Sequence, residues 1–430
     1  MSGIDASTPV VVLRFHHGSM AIARTLGRWG VPVYGIDSQV RSPAMATRYL
    51  TGRFEWDFGK SAAADSVAFV LDVARRIGRR AVLIPTSDNT AELVARHADV
   101  LGEHFIFPAQ DPDLVHALSN KRALYHLARQ ANVPTPETAF PASRADVEAY
   151  AATTTFPVML KAADGLRLEA RTGRKMVIAN TRDELLAFYD ELENPDDPNL
   201  MLQEYIPGGD DTIWMFDGYF DACSECVAGF TGRKLRQYPV HTGATSLGLL
   251  THNPEVHALT LRFMKAIGYT GILDIGYRYD ARDGQYKLLD PNPRIGSTFR
   301  LFVGENDLDV ARILYLAMTG QPIPDTAPRE GRRWVIENQD LISCLAYRRE
   351  GALRLGEWLT SYRGVQESAW FARDDLRPFG RMLKELAGFG PRDASPRAAA
   401  PQPHRERHPI HRSETNEAKA QDLAGNAPLR

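Results

Sequence analysis

The chain has 430 residues, enough for two or three domains that each bury a hydrophobic core. Its 44% hydrophobic and 24% charged residues are typical of a globular protein. A formal net charge of −2 gives no reason to expect nucleic acid or an anionic membrane as a partner. No apolar run reaches transmembrane length, and three cysteines predict a reducing, cytoplasmic location.

The first 112 residues alternate predicted strands and helices, which indicates a parallel sheet in a Rossmann-like N-terminal domain. The predicted elements are strand Val10–Leu13, helix Met20–Trp29, strand Val31–Asp37, helix Ser61–Gly78, strand Ala81–Pro85 and helix Asn89–His97. The first turn, His16–Ser19, lacks Gly-x-Gly-x-x-Gly, which disfavours an NAD(P)-dependent enzyme.

The middle of the chain mixes strands and helices in a different order. After a helical connector, Asp113–Asn132, the predicted strands are Phe156–Ala162, Met176–Ala179, Leu200–Ile206, 211–220 and 224–238, the last two forming a meander around Asp217-Gly218. A polar loop, 164–175, precedes the second of these strands, and Thr181 with Glu184 forms a capping-box pattern that predicts a helix start. Further helices are predicted at Pro254–Ile267 and Asp307–Met318.

The C-terminal part changes in composition. Residues 326–389 predict a small, mostly helical appendage, and Gly390–Arg430, with almost no aromatics, predicts a disordered tail. Cys223 and Cys226 form a Cys-x-x-Cys pair in a predicted strand, where residues three apart point to opposite faces. We therefore interpret them as ordinary thiols.

A predicted hairpin carries the most informative residues. Its inner strand, Thr270–Tyr279, contains Asp274, and its return strand, Gln285–Asp290, runs directly into Pro291-Asn292-Pro293-Arg294. Asp283-Gly284 in the turn is a strong hairpin signal, and pairing about this turn predicts that Asp274 lies opposite position 290 or 291. Two carboxylates and an amide oxygen should then converge.

Oxygen ligands of this kind suit Mg²⁺, which usually also binds substrate phosphates. The alternative is that Asp290–Asn292 is only a turn, since Asp, Asn and Pro are all turn formers. Asp274 argues against that alternative, because an unpaired carboxylate in an otherwise apolar strand is costly. The sequence therefore predicts a metal site at Asp274, Asp290 and Asn292.

Phosphate binding would need cations outside a P-loop, since Gly-x-x-x-x-Gly-Lys-[Ser/Thr] is missing. Lys161 ends a buried strand just before the polar loop, and Lys121 lies early in a helix. The alternatives are that Lys161 is a snorkelling residue at the edge of the sheet and that Lys121 is an ordinary solvated lysine.

The order of these features resembles the ATP-grasp superfamily over roughly residues 10–320. Lys121, Lys161 with its loop, the Gln203–Ile206 segment, Asp274 and Asp290-x-Asn292-x-Arg294 carry the resemblance. Biotin carboxylase and D-alanine–D-alanine ligase are members. Within the superfamily the chain is similar to the carboxylate–amine ligases of the D-aspartate ligase type, which also carry a segment like Thr231–Pro239.

The resemblance implies a fold and a set of roles. The fold is α/β and α+β: the Rossmann-like pre-ATP-grasp domain, a two-lobed ATP-grasp domain at 113–325, the appendage and the tail. The small lobe would cover about 140–205 and the large lobe about 206–325. Arg167, Arg171, Arg174 and Lys175 would equip the loop that closes over the phosphates.

The implied ligands of ATP follow residue by residue. Lys121 and Lys161 would contact the α- and β-phosphates. Gln203, Glu204 and Ile206 would form the hinge at the adenine edge, and Asp210 or Asp211 would reach the ribose. Asp274, Asp290 and Asn292 would hold Mg²⁺, with Mn²⁺ as the alternative. Arg294 and Arg236 would stabilise charge on the transferring phosphoryl group.

The implied function is an ADP-forming ligase that activates a carboxylate as an acyl phosphate and joins it to an amine. An ATP-grasp kinase or a non-catalytic ATP-binding regulatory protein is the alternative. The expected partners are small-molecule carboxylate and amine substrates. A homodimer is the expected oligomer, because it is the commonest one among soluble proteins. Acceptor pockets are expected near His16–Ser19, near Thr86–Asn89 and in the loops after Arg294, where Gly296–Thr298 would help bind the acceptor carboxylate. His16, His17 or His241 could act as a base for the amine, and the alternative is that they are loop histidines without such a role.

Overall fold

The structure, a computed structural model, describes residues 3–163, 168, 172, 174, 176–194, 196 and 198–388. These residues belong to one compact unit that spans Met1–Asp393. The predicted tail lies outside the described residues, as do Arg167, Arg171 and Lys175 of the predicted loop. No helix of the described part is long and apolar enough to cross a membrane.

The N-terminal domain contains a five-stranded parallel sheet of order β3-β2-β1-β4-β5. Its strands are β1 (Val10–Leu13), β2 (Val33–Asp37), β3 (Leu50–Glu55), β4 (Ala81–Pro85) and β5 (Phe105–Ile106). Its helices are α1 (His17–Gly27), α2 (Ala63–Ile77), α3 (Asp88–Arg96) and α4 (Ala98–Gly102). The predicted alternation is confirmed, although β3 and β5 were not predicted. Strand order reverses between β1 and β4, where parallel sheets commonly bind ligands.

The connector consists of two helices, α5 (Pro112–Ser119) and α6 (Lys121–Gln130), and the prediction of one continuous helix was wrong. The break is at Asn120, whose backbone is extended (φ −99°, ψ 118°). Its side-chain oxygen accepts from the backbone N–H groups of Arg122 and Ala123 at 3.1 Å, which caps α6. Lys121 is consequently the first residue of a new helix.

A four-stranded antiparallel sheet of order β6-β9-β7-β8 follows. Its strands are β6 (Thr138–Ala139), β7 (Val158–Ala162), β8 (Met176–Ala179) and β9 (Leu200–Glu204), and its helices are α7 (Arg144–Thr153) and α8 (Arg182–Leu192). The predicted cap at Thr181 is confirmed, since its hydroxyl accepts from the N–H of Glu184 at 3.2 Å. Leu160, Leu185 and Leu202 are fully buried between sheet and helices.

A seven-stranded sheet has the order β14-β13-β10-β11-β12-β15-β16. Its strands are β10 (Ile213–Phe220), β11 (Cys226–Tyr238), β12 (Ala244–Leu250), β13 (Gly271–Asp280), β14 (Gln285–Asn292), β15 (Arg333–Val335) and β16 (Val365–Ser368). The associated helices are α9 (Pro254–Ala266), α10 (Val310–Met318), α11 (Glu337–Arg349), α12 (Leu355–Ser361) and α13 (Arg377–Leu386). Because β15 and β16 extend this sheet, the predicted appendage shares a sheet with the large lobe.

The strands predicted at 211–220 and 224–238 are observed as β10 and β11, but Asp217 and Gly218, around which the meander was predicted, both lie inside β10. The chain reverses instead at 221–225, where Oδ1 of Asp221 accepts from the N–H groups of Cys223 and Glu225. Ser224 supplies the positive φ of 60° that the turn needs. Asp217 is therefore a strand residue inside the sheet.

The β13–β14 hairpin forms as predicted, but its register is shifted. Asp274 lies opposite Asn292, and Gly276 lies opposite Asp290, because a β-bulge between Gly276 and Tyr277 adds one residue to β14. The predicted partner of Asp274, position 290 or 291, was therefore off by one or two residues. Asn292 shares a face of the sheet with its partner Asp274, and alternation places Asp290 on the same face.

Candidate active site

One face of the large sheet carries the predicted metal ligands Asp274, Asp290 and Asn292. The side chain of Asp274 is half-buried, and Nδ2 of Asn292 lies 3.4 Å from its Oδ2. Gly296 closes over this carboxylate, since a Cβ on Gly296 would lie 2.1 Å from Oδ2 of Asp274. Burial raises the pKa of Asp274 to about 6, against the opposing effect of Arg294 and Lys234.

Asp290 lies on the same face and is exposed, yet protein on its other sides desolvates it and raises its pKa. Lys161 gives the largest opposing effect on this pKa. We call the region bounded by Lys121, Lys161, Asp274, Asp290 and Arg294, whose charges act on one another, the cleft.

The donor set fits Mg²⁺ bound partly by protein and partly by phosphate and water. Neither Asp274 nor Asp290 forms an ion pair with any residue that the structure describes, which leaves both carboxylates available to a cation. Among the described residues no group of three or more His, Cys, Asp or Glu side chains could hold a metal. Two carboxylates and one amide oxygen are few ligands, as expected for Mg²⁺ shared with a nucleotide.

Lys121 and Lys161 approach the cleft from the small-lobe side. Nζ of Lys121 donates to the carbonyl of Ala162 at 3.1 Å, next to Lys161. Burial, and then the charge of Lys121, lower the pKa of Lys161 to about 8, while Asp290 opposes the shift. Two cations that repel each other beside the carboxylates form a site for a polyanion.

Arg294 joins the large lobe to the N-terminal domain. Its Nη2 donates to Oδ1 of Asn292 at 2.8 Å, and its Nε donates to Oδ1 of Asp88 at 2.7 Å. The guanidinium is 17% exposed and Asp88 is 52% exposed. The sequence predicted Arg294 at the site but gave no signal for Asp88, the first residue of α3.

The contacts of Arg236 conflict with the catalytic role predicted for it. Its Nε and Nη2 donate to the two carboxylate oxygens of Asp340 on α11 at 2.8 Å, and Nη1 donates to the hydroxyl of Ser361 at 2.8 Å. Both members of the pair are buried, so the guanidinium fastens α11 to β11. We correct the prediction: these contacts indicate a structural role.

Lys234, two residues earlier in the same strand, was missed. Its Nζ donates to the carbonyl of Gly243 at 3.0 Å. Burial lowers the pKa of Lys234, and Asp274, Asp290 and Asp210 raise it, so the ammonium faces the acids of the cleft. The alternation of side chains along β11 was the available signal. It places Lys234 on the same face as Gly232, and Gly232 pairs with Met215 of β10.

Asp217 was also missed. It lies opposite Asp274 in the β10–β13 ladder, it is fully buried, and neither of its oxygens has a partner among the described residues. Burial first, and then the charge of Asp274, raise the pKa of Asp217 well above its usual value. An acid within the apolar run 213–220 was the available signal.

The hinge residues Gln203, Glu204 and Ile206 use their side chains within the protein. Nε2 of Gln203 donates to the hydroxyl of Thr138 at 3.0 Å, and Ile206 is buried. The Glu204 carboxylate accepts from Lys287 at 3.1 Å. Adenine contacts at this hinge would therefore use backbone groups, and Ile206 lies beyond the last ladder pair of β9.

Asp210 and Asp211 begin the 3₁₀ turn Asp210–Thr212 after the hinge. Asp211 is exposed. Asp210 is 14% exposed, and its Oδ1 accepts from Nε2 of Gln237 at 2.9 Å while its Oδ2 accepts from the hydroxyl of Tyr347. Of the two carboxylates, that of Asp210 is the one held in a fixed position.

The predicted acceptor loops meet at the strand-order reversal between β1 and β4. The hydroxyl groups of Ser19 and Thr86 lie 3.1 Å apart, and Nε2 of His16 lies 3.5 Å from the carbonyl of Thr86. Gly18 contacts the third predicted segment, since a Cβ there would lie 2.7 Å from Cα of Ser297. Burial lowers the pKa of His16 to about 3, which makes it a weak base.

The other two histidines differ in their surroundings. Burial lowers the pKa of His17 to about 4, and its ring lies 6.0 Å from that of Trp370. His241 is half exposed, and its Nε2 lies 2.8 Å from Oε2 of Glu350, on the Asp210 side of the cleft. None of the described contacts joins His241 to Arg294. These contacts therefore single out none of the three histidines as the base for an amine.

Comparison with known structures defines the fold class. N5-carboxyaminoimidazole synthetase from Staphylococcus aureus, complexed with ADP, superposes with a TM-score of 0.60 at 12% identity, and the match covers 81% of this chain and 88% of that chain. The biotin carboxylase domain of 2-oxoglutarate carboxylase from Hydrogenobacter thermophilus, in complex with MgADP, gives 0.57 at 16% identity, covering 76% and 73%. The chain has the ATP-grasp fold, as predicted.

A sequence relative narrows the likeness. D-aspartate ligase from Enterococcus faecium (strain Aus0004) is 28% identical over 245 residues, which cover 55% of this chain and 58% of the relative. The chain thus matches less than two thirds of the length of that enzyme. No protein-family model matches the chain. The predicted resemblance to ATP-grasp carboxylate–amine ligases is confirmed.

Proposed function

We propose that this protein is an ATP-dependent, ADP-forming carboxylate–amine ligase that uses Mg²⁺. The observation that carries the proposal is the opposition of two lysines and two carboxylates across one cleft, with Arg294 beside them. Lys161 and Asp290 each shift the pKa of the other toward the charged form, which supports phosphate and cation binding in the same place. The D-aspartate ligase relative supports the ligase class.

Lys121 and Lys161 would bind and orient the phosphates of ATP. A substrate carboxylate oxygen then attacks the γ-phosphorus, the bond to the β,γ-bridging oxygen breaks, and ADP leaves. Arg294 would stabilise negative charge on the transferring group and on the acyl phosphate. The amine nitrogen next attacks the acyl carbon, the carbon–oxygen bond to phosphate breaks, and an amide and inorganic phosphate form.

Asp274, Asp290 and Asn292 would hold the cation, which when bound neutralises charge on the phosphates. Mn²⁺ is the alternative ion. The oxygen of Asn292 would be its ligand atom, whereas in the structure this oxygen accepts from Arg294. Lys234 would add a further positive charge near the acids.

The substrates we propose are an amino-acid-like carboxylate and an amine. D-aspartate is the first compound to test because the sequence relative is a D-aspartate ligase. We also propose a homodimer. The support is that the Hydrogenobacter domain is described as a dimer, and light scattering would test the proposal. The cytoplasmic location remains a prediction from the three cysteines.

One isotope experiment tests the reaction. The protein is incubated with MgATP, D-aspartate carrying ¹⁸O in its carboxylates, and a panel of amino acids and short peptides as amines. The proposal predicts ADP, an amide product and ¹⁸O in the released phosphate, all dependent on the amine. ¹⁸O-labelled L-aspartate and other carboxylic acids are run in parallel to define the acid.

Each rival gives a different result. A kinase yields ADP with a phosphorylated product and no free phosphate, and a regulatory protein binds MgATP without turnover. AMP with pyrophosphate would exclude the acyl phosphate route.

A further inference from the structure

One helix of the appendage, α11, contacts β11 and the turn that follows the hinge. Residues of α11 hold both β11 and the turn after the hinge: Asp340 pairs with Arg236, and the hydroxyl of Ser343 donates to the carbonyl of Gln237 at 2.7 Å. Tyr347, one turn further along α11, reaches Asp210. The helix is thus fixed to the strand that also carries Lys234.

We infer that α11 completes the nucleotide site, with Tyr347 as a positioning residue that holds the Asp210 carboxylate for the ribose hydroxyls of ATP. The inference rests on the proposed function, since it assumes that the cleft binds a nucleotide. It assigns a role to the appendage, which lies outside the predicted ATP-grasp domain.

The chemistry of the donors supports this role. Gln237 and Tyr347 each donate to one oxygen of Asp210, and both donors are neutral. Neutral donors fix a carboxylate without cancelling its charge, whereas a lysine or arginine partner would form an ion pair. Nδ1 of His241 lies 3.9 Å from Oδ1 of Asp210 and carries a positive charge only when it is protonated. Each oxygen keeps a second acceptor site, and the side chain is 14% exposed, so two hydroxyl donors of a sugar can still bind.

Tyr347 is itself held in place. Its side chain is buried, its ring meets the ring of His241 edge to face at 5.2 Å, and its oxygen accepts from the backbone N–H of His241 at 3.4 Å. Burial and the Asp210 charge raise the pKa of Tyr347, so the phenol keeps the proton that it donates. His241 thus orients Tyr347, and Tyr347 orients Asp210.

Calorimetric binding of MgADP and of Mg-2′,3′-dideoxy-ADP tests the inference in the full chain. Tyr347→Phe should weaken MgADP about tenfold, the effect of losing one hydrogen bond to a charged group. It should leave the dideoxy nucleotide unchanged within about twofold, since that ligand has no hydroxyls for Asp210. Asp210→Asn should remove the preference for ADP, and adding Tyr347→Phe to it should have no further effect.

Tyr362→Phe is the matched control, because Tyr362 donates to Asp340 in the same appendage and has no contact with Asp210. It should change neither affinity. Equal weakening of both nucleotides by Tyr347→Phe, or no weakening of MgADP, would overturn the inference and leave the ligase proposal standing. Failure of the unsubstituted protein to bind MgADP would overturn both.

If Tyr347→Phe fails to fold, as judged by thermal unfolding, the affinities for the two nucleotides are compared in Gln237→Leu instead. This variant removes the other donor to Asp210 and should give the same selective loss for MgADP. Loss that is equal for the two nucleotides would again count against the inference.

Discussion

Asp88 of the N-terminal domain and Arg294 of the large lobe form an ion pair, in which Oδ1 of Asp88 accepts from Nε of Arg294 at 2.7 Å. Because Arg294 also donates to Asn292, the pair connects the N-terminal domain to the proposed metal ligands. A guanidinium held at two points is oriented before substrate arrives, and orientation of this kind contributes strongly to catalysis.

Asp88→Asn should therefore lower the rate of ADP release in the ligase assay by about tenfold, or 1.4 kcal/mol in activation free energy. MgADP affinity should stay within about twofold, since Asp88 is not among the phosphate or metal residues. Asp374→Asn is the control, because it removes another partly exposed ion pair, with Arg28 at 2.9 Å. Equal rates for the two variants would contradict the positioning role of Asp88.

The metal ligands give a prediction in which binding is lost and stability does not fall. Asp274 lies beside two other acids, Asp217 and Asp290, and no described cation pairs with it. Because burial raises the pKa of Asp274 and so disfavours its charged form in the folded protein, Asp274→Asn should not lower the melting temperature of the metal-free protein. MgADP, which should stabilise the unsubstituted protein, should no longer stabilise this variant.

Thermal unfolding with and without MgADP measures both effects, and Asp283→Asn in the exposed turn of the same hairpin serves as control. If Asp274→Asn kept the full MgADP stabilisation, the proposed metal ligand set would be wrong.

Lys161 predicts how nucleotide binding depends on pH. Its pKa of about 8 in the free protein means that half of the Lys161 side chains are neutral at pH 8. Bound phosphates favour the charged form, so MgADP affinity should be full below about pH 7 and should fall as the pH rises toward 10, by up to about tenfold per unit above the pKa. Lys161→Arg keeps its charge over this range and should bind with little pH dependence.

Calorimetry between pH 7 and 10 separates these curves. Parallel curves for Lys161→Arg and the unsubstituted protein would show that another group titrates, and Lys161 would not be a phosphate ligand.

Local patterns predicted the elements well, and long-range geometry accounts for what they missed. Capping at Thr181 and the Asp283-Gly284 turn involve neighbouring residues, and both were confirmed. The bulge at Gly276 changed the partner of Asp274, and a bulge leaves no period-two signal in the strand. Short edge strands such as β5, with two residues, are likewise too short for alternation to reveal.

In the candidate site, too, local spacing was predictable and long-range contacts were not. Residues within one motif, from Asp290 to Arg294, were predicted together because a short chain segment fixes their spacing. Asp88 contacts Arg294 across 206 positions, and Tyr347 contacts Asp210 across 137. Such pairs depend on how the domains pack, which spacing alone does not specify. Arg236 was misassigned for the same reason, since its partner Asp340 is 104 positions away.

Arg236 provides a test that distinguishes a structural from a catalytic role. Arg236→Met would leave the buried Asp340 carboxylate without its cation and should lower the free energy of unfolding by about 3–5 kcal/mol. The double variant Arg236→Met, Asp340→Asn removes the unpaired charge as well, so it should recover much of the lost stability. If the pair is structural, the double variant should also recover MgADP affinity and ligase turnover, because α11 can dock again.

Urea unfolding gives the stability of the three proteins, and ADP release gives their turnover at a temperature where all are folded. A double variant that folds like the unsubstituted protein but turns over a hundredfold more slowly would restore the catalytic role first predicted for Arg236. Recovery of both properties together would show that the guanidinium acts through Asp340, by holding the appendage helix against the strand that carries Lys234.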